Sequence, residues 1–145
     1  MRAAMVGLGL AACADPMPEI WIDRSPIELG AIAPGDAVDF GLQIANDGDG
    51  TLELQPFALR GDDDCAFWLE GPDEMALTGP MQSFIRGRFA PRREGLHQVA
   101  LYLSSNAVTL PTLIVPICAV VGADVTVEEL VVCEEPPTDA ANCTQ

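Results

Sequence analysis

The sequence predicts an all-β fold, an antiparallel sandwich of about seven strands. Three observations carry that expectation. Apolar and polar residues alternate with period two in several runs, the pattern of strands with one buried and one wet face. Turn-forming Gly, Pro, Asn and Asp interrupt those runs every ~8–12 residues. No segment sustains a helical period. The 145 residues suffice for one ordinary domain. Hydrophobic residues make up 49% of the chain but aromatics only 6%, so the core must be mainly Val, Leu, Ile and Ala.

The organising stretch is residues 84–106, FIRGRFAPRREGLHQVALYLSSN. Ile85, Gly87 and Phe89 alternate on one strand; Val99, Leu101 and Leu103 alternate on the next, which is expected to pair with it. The connection carries Pro91 and Gly95, both turn formers. Before this pair, Glu19–Asp23 reads as an edge strand that Pro26 interrupts and Ile27–Leu29 resumes, since a strand broken by proline belongs at a sheet edge. After the Pro34-Gly35-Asp36 turn, Val38, Phe40, Leu42 and Ile44 alternate on one face of a long strand. Asn46-Asp47-Gly48-Asp49-Gly50 then reads as a hairpin turn leading into Thr51–Leu59, because these residues tolerate positive φ.

Gly61–Asp64 is an acidic turn, and Cys65, Phe67 and Leu69 alternate on a short strand. Residues 71–79 read as a loop from which Met75 and Leu77 dip into the core. The last strand, Leu110–Val121, alternates through Leu113, Val115, Ile117 and Ala119. Seven strands so spaced form the pattern of an immunoglobulin-like sandwich. Residues 19–122 are assigned to it. Residues 123–145 are expected to form an acidic, cysteine-containing extended tail, with Pro136-Pro137 within it.

Several of these elements carry a family resemblance. Ile27-Glu28-Leu29-Gly30, Asn46-Asp47-Gly48, Phe89-Ala90-Pro91, Gly95 and Leu101-Tyr102-Leu103-Ser104-Ser105-Asn106 occur in the order of the ASPM/SPD-2/Hydin type of domain, called choice-of-anchor D in bacteria. The chain resembles that family over about residues 20–122. It differs in Leu29, where the family has Phe, and in a longer loop at residues 71–79. The resemblance implies a sandwich related to major sperm protein and PapD-like domains. It implies no common catalytic site, hence a binding or spacer module that is not an enzyme and needs no cofactor.

The N-terminal residues 1–12 read as a signal segment: Arg2, then a short apolar run too brief to span a bilayer. Leu10-Ala11-Ala12-Cys13 resembles the bacterial lipobox. That resemblance implies cleavage before Cys13, diacylglycerol on its sulfur and anchoring to a membrane, with residues 13–18 as a tether. Ala14, in place of the Asp that retains lipoproteins at the inner membrane, points to the outer membrane of the cell envelope.

Four cysteines remain, Cys65, Cys118, Cys133 and Cys143. An even number outside the cytosol implies disulfides. Of three possible connectivities, Cys65–Cys118 and Cys133–Cys143 are favoured. Parity opposes the first pair, since Cys65 falls with the inward Phe67 and Leu69, whereas Cys118 falls opposite the inward Val115 and Ile117.

The net charge is −15, from 22 acidic residues against seven arginines and no lysine. Such a surface repels nucleic acid phosphates, so no nucleic acid partner is expected. Asp47 and Asp49 in one loop and Asp62, Asp63 and Asp64 in another are weak candidates for a cation site if both loops lie at one end of the sandwich. The EF-hand pattern fails, because its first position is Ala45 and its twelfth Pro56. Arg86, Arg88, Arg92 and Arg93 form a candidate patch for a protein or glycan partner, with self-pairing to nearby carboxylates as the plain alternative. His97 stands without a nucleophile motif and reads as a surface or strand-end residue. The functions expected are a lipid-anchored binding or spacer module first, and a periplasmic chaperone-like or calcium-dependent adhesion module second.

Overall fold

Period-two burial runs through the long strands and sorts them into layers. The computed structural model describes residues 15–61, 64–123, 133 and 143. The described strands are β1 (Ile20–Ile22), β2 (Ile27–Ile32), β3 (Val38–Asn46), β4 (Thr51–Glu53), β5 (Ala58–Arg60), β6 (Phe67–Glu70), β7 (Ala76–Thr78), β8 (Gln82–Phe89), β9 (Gly95–Ser104) and β10 (Thr112–Val121). One four-stranded sheet has the order β1-β3-β8-β6 and a second the order β2-β10-β9-β5, while β4 and β7 form a separate pair. The two large sheets face each other as an immunoglobulin-like sandwich. All pairings are antiparallel except β2 with β10, which run parallel.

The expected inward residues make the core. Leu42, Ile44, Ile85 and Phe89 from the first sheet meet Val99, Leu101, Leu103, Val115, Ile117 and Ala119 from the second, all buried. The Phe89 ring lies 4.6 Å from that of Phe67 and 5.1 Å, edge-on, from that of His97. Gly87 is also inward. A Cβ there would come within 2.2 Å of the Phe40 ring, which covers it from the neighbouring strand.

Four local expectations are corrected. First, β8 and β9 do not pair. The connection 90–94 carries the chain from one sheet to the other, so the two strands face each other across the core. Second, Pro26 marks a change of sheet: β1 belongs to the first sheet and β2 to the second. Third, Asn46–Gly50 is no hairpin, because β4 pairs with β7 instead of β3, and Thr51–Leu59 breaks into β4 and β5. Fourth, the loop 71–79 contains β7; its Leu77 is fully buried, but Met75 is 38% exposed.

The β4–β7 pair closes the end of the sandwich where β3 finishes and β9 turns. Two asparagines hold it there. Asn46 donates from Nδ2 to the carbonyls of Gly50 and Leu77, and its Oδ1 accepts from the N–H of Glu19 and of Gly48. Asn106 accepts from Glu53 N–H at 2.7 Å and donates to Thr51 O at 3.0 Å. These bonds satisfy main-chain groups that a pair of three-residue strands leaves open. The segment 17–19 is docked against the same end, through Asp47 N–H to Glu19 O and Asp49 N–H to Met17 O. It passes so close that a Cβ on Gly48 would sit 2.1 Å from Met17 O.

The cysteines pair in a different connectivity from the favoured one. Cys65 joins Cys143 and Cys118 joins Cys133, with Cα–Cα distances of 5.4 and 5.7 Å. Cys65 precedes β6, is exposed and has a φ of 54°, so it does not continue the inward alternation. Cys118 lies on the outer side of β10, yet it is fully buried. Cys133 sits over it, its Sγ 3.9 Å from the Ile27 carbonyl oxygen. The parity conflict in the sequence is resolved because each sandwich cysteine takes a separate partner in the tail.

Two outcomes follow. Phe89→Ala is expected to cost about 3–5 kcal/mol in chemical denaturation, the usual range for a buried aromatic. Phe84→Ala, on the outer face of the same strand, should cost several-fold less. Non-reducing peptide mapping should recover Cys65 linked to Cys143 and Cys118 linked to Cys133.

Candidate functional site

The outer face of the first sheet concentrates the side chains suited to recognition. On β8, Gln82, Phe84, Arg86 and Arg88 point away from the core, each exposed, while Ser83, Ile85, Gly87 and Phe89 point inward. Register sets the rows across the face: Asp39, Arg88 and Trp68 lie side by side, as do Gly41, Arg86 and Glu70. Trp21 lies beside Ala45 on the far edge. Trp21, Phe84 and Trp68 are 43%, 40% and 50% exposed. Both tryptophans of the chain therefore stand on this one face.

Its charges are balanced locally. Arg24 Nε lies 3.3 Å from Asp23, and Arg88 Nη1 lies 3.1 Å from Asp39. Arg86 stands opposite Glu70 and also acts on Asp73. Gly41 presents no side chain, and a shallow groove of about 460 Å³ opens there between Asp23, Arg24, Gln43, Phe84 and Arg86.

The loop before β7 fixes this groove's wall. Asp73 Oδ1 accepts from Phe84 N–H at 2.6 Å, and Ser83, fully buried, donates from Oγ to Glu74 O at 2.7 Å. The Phe84 N–H is the main cause that holds the Asp73 carboxyl below the ordinary carboxylate value. Burial opposes the shift; Asp73's own N–H, the Arg86 guanidinium and the Ser83 hydroxyl support it.

The four arginines do not form one patch. Arg86 and Arg88 lie on the sheet face, whereas Arg92 and Arg93 lie beyond the end of β8. Arg93 is ion-paired to Asp64 and donates to Leu96 O at 3.1 Å. The acidic loops are separated as well. Residues 46–50 follow the end of β3 that lies beside Gln82, while Asp64 stands near the Phe89 end of β8. Asp62 and Asp63 lie outside the described residues, as does Cys13. Among the described residues no three His, Cys, Asp or Glu side chains gather into a cation site.

His97, expected at the surface or at a strand end, lies near the start of β9 but is a core residue. It is 2% exposed, its Nε2 lies 2.9 Å from Arg93 O, and its Nδ1 lies 3.9 Å from Asp64. Parity could have found this, since His97 shares the inward face of β9 with Val99, Leu101 and Leu103. The exposed tryptophans escaped the sequence reading because Trp21 and Trp68 are distant in sequence and only the strand order places them together.

No protein-family model matches the chain, and no curated protein matches it either. Solved structures do. A protein of unknown function from Porphyromonas gingivalis W83 superimposes with a TM-score of 0.63 at 16% identity, over 76% of this chain and 50% of that one. The secreted serine protease VesC from Vibrio cholerae gives 0.57 at 14% identity, over 71% of this chain and 23% of that one. The seventh PapD-like (ASH) domain of human CEP192 gives 0.47 at 16% identity, over 84% of this chain and 98% of that domain. The chain thus spans half or less of the first two proteins it resembles. At 16% and 14% identity the likeness to those two is one of fold alone, the sandwich of two sheets described above.

A depressed carboxyl pKa means that folding favours the charged form, so its stabilisation is full above the unfolded value and is lost as pH falls through the folded one. Asp73→Asn, which keeps the acceptor but removes the charge, should lower Tm at pH 7. The gap to wild type should close as acid protonates Asp73. His97→Ala should cost about 2–5 kcal/mol, as deletion of a packed core side chain does; thermal and chemical denaturation will read both.

Proposed function

We propose that this protein is a lipid-anchored, non-enzymatic module of the bacterial cell envelope, of the choice-of-anchor D kind, that binds or spaces other components. One observation carries the reading. Of five cysteines, four are engaged in two disulfides, which form and persist outside the reducing cytosol. The fifth is Cys13, which follows Leu10-Ala11-Ala12.

The packed side chains support a binding module over an enzyme. The chain's one histidine is buried in the core, 2% exposed and edge-on to Phe89, out of reach of a substrate's proton. The chaperone-like alternative needs a long free edge to receive a strand. The edge strands β1, β5 and β6 are only three or four residues long, and Cys133 sits beside β2 at Ile27. Short edges of this kind resist strand addition.

Anchoring also orients the domain. A Cβ on Gly50 would meet Pro16 at 2.5 Å, so Pro16 is packed against the loop 46–50. From Pro16 back to Cys13 the chain reaches at most about 10 Å. With lipid on Cys13, the β4–β7 end faces the bilayer and the outer face of the first sheet stands upright on it.

The test is fractionation with mass spectrometry. Wild type is expected in the membrane fraction with diacylglycerol on Cys13, and Cys13→Ser in the soluble fraction. An unlipidated Cys13 in the mature protein overturns the anchoring.

A further inference from the structure

We infer that the outer face of the β1-β3-β8-β6 sheet is a binding surface for an extended, uncharged polysaccharide, with Trp21, Phe84 and Trp68 as successive stacking platforms. The inference deepens the binding-module reading and rests on it, but not on lipid anchoring.

Placement is the first argument. Strand order and register put the three rings on one path that crosses the face and bends at Phe84: Trp21 on β1 in the Gln82 row, Phe84 on β8, and Trp68 on β6 in the Arg88 row. From strand spacing and rise, the backbone steps along it are roughly 12 Å and 14 Å. All three rings are at least 40% exposed. A protein-docking hot spot gathers its aromatics at the centre of a patch, inside a polar rim. Here they stand singly, with polar side chains between them, which fits a linear polymer touching one ring after another. An aromatic face offers dispersion contact to the C–H face of a sugar ring, and stacking along a flexible chain tolerates variation in sequence.

The polar groups between the rings are the second argument. Gln43, Arg86 and Asp23 flank the groove that Gly41 leaves open, and together they offer donors and acceptors to hydroxyls. Their charge is the third. Arg24 with Asp23, Arg88 with Asp39, and Arg86 beside Glu70 leave no net positive field for a polyanion. On a chain of net charge −15, an uncharged polymer meets no long-range repulsion.

Affinity electrophoresis of the purified protein tests the inference. The gels contain a mixed-linkage β-glucan, a galactomannan, a dextran or, as the charged control, polygalacturonate. At least one neutral polymer should retard the protein and shift its tryptophan fluorescence. Trp68→Ala and Trp21→Ala should each weaken that binding at least about tenfold, the factor that 1.4 kcal/mol represents, with Tm unchanged. Gly41→Val gives an independent variant. A Cβ there makes only an ordinary 3.6 Å contact with Ile85 O, so the side chain should fill the groove and weaken binding without unfolding the sheet.

Four results would overturn the inference: no retardation by any neutral polymer, binding that both tryptophan variants leave intact, retardation by polygalacturonate alone, or a dimer in sedimentation that Trp68→Ala dissolves. The last would make the face an interface between copies of this chain. None of these results bears on the lipid at Cys13.

Discussion

The contact of Phe89 with Phe67 on its own sheet and with His97 on the other is the point from which the sandwich is built. A sheet buries one face only if another layer covers it, and with few aromatics available this cluster supplies three buried rings, from both sheets, at one point of the interface. Its position explains the chain path around it. β8 ends on Phe89, the connection 90–94 crosses to the second sheet, and β9 brings His97 back under the same ring within its first three residues. Arg93, in that crossing, offers its carbonyl to His97 and its guanidinium to Asp64, so the corner is tied to the segment that leads into β6.

The opposite end is held by hydrogen bonds more than by rings. A two-stranded sheet of three-residue strands is marginal alone. Leu52 and Leu77 bury completely beneath it, while Asn46 and Asn106 pair its main chain with the ends of β3 and β9. The two asparagines that carry part of the family resemblance thus have a structural role. They replace the neighbouring strand that β4 and β7 lack.

Charge acts mainly at short range in this protein. The described arginines on the first sheet each lie by a carboxylate, and exposed pairs of that kind contribute little stability. Their effect is to leave a nearly neutral face on a strongly acidic molecule. The disulfides work differently. Both link the sandwich to residues of the tail, one beside β10 and one ahead of β6, so the tail is tethered to both sheets.

Alternation by itself determined which residues of β3, β8, β9 and β10 face inward, because side chains on a strand must alternate whatever the strand pairs with. It therefore also determined that Arg86 and Arg88 are exposed, and it held the information that His97 is buried. It could not decide pairing. β8 and β9 read as a hairpin because both alternate and a turn separates them, yet a turn followed by a change of sheet has the same local sequence. The same ambiguity misplaced β2 and β4, and it left the cysteine partners open beyond the parity conflict between Cys65 and Cys118. Only the tertiary structure decided that Trp21, Phe84 and Trp68 share one face. Strand order is set by how whole layers pack, and no residue within a strand encodes which strand lies beside it.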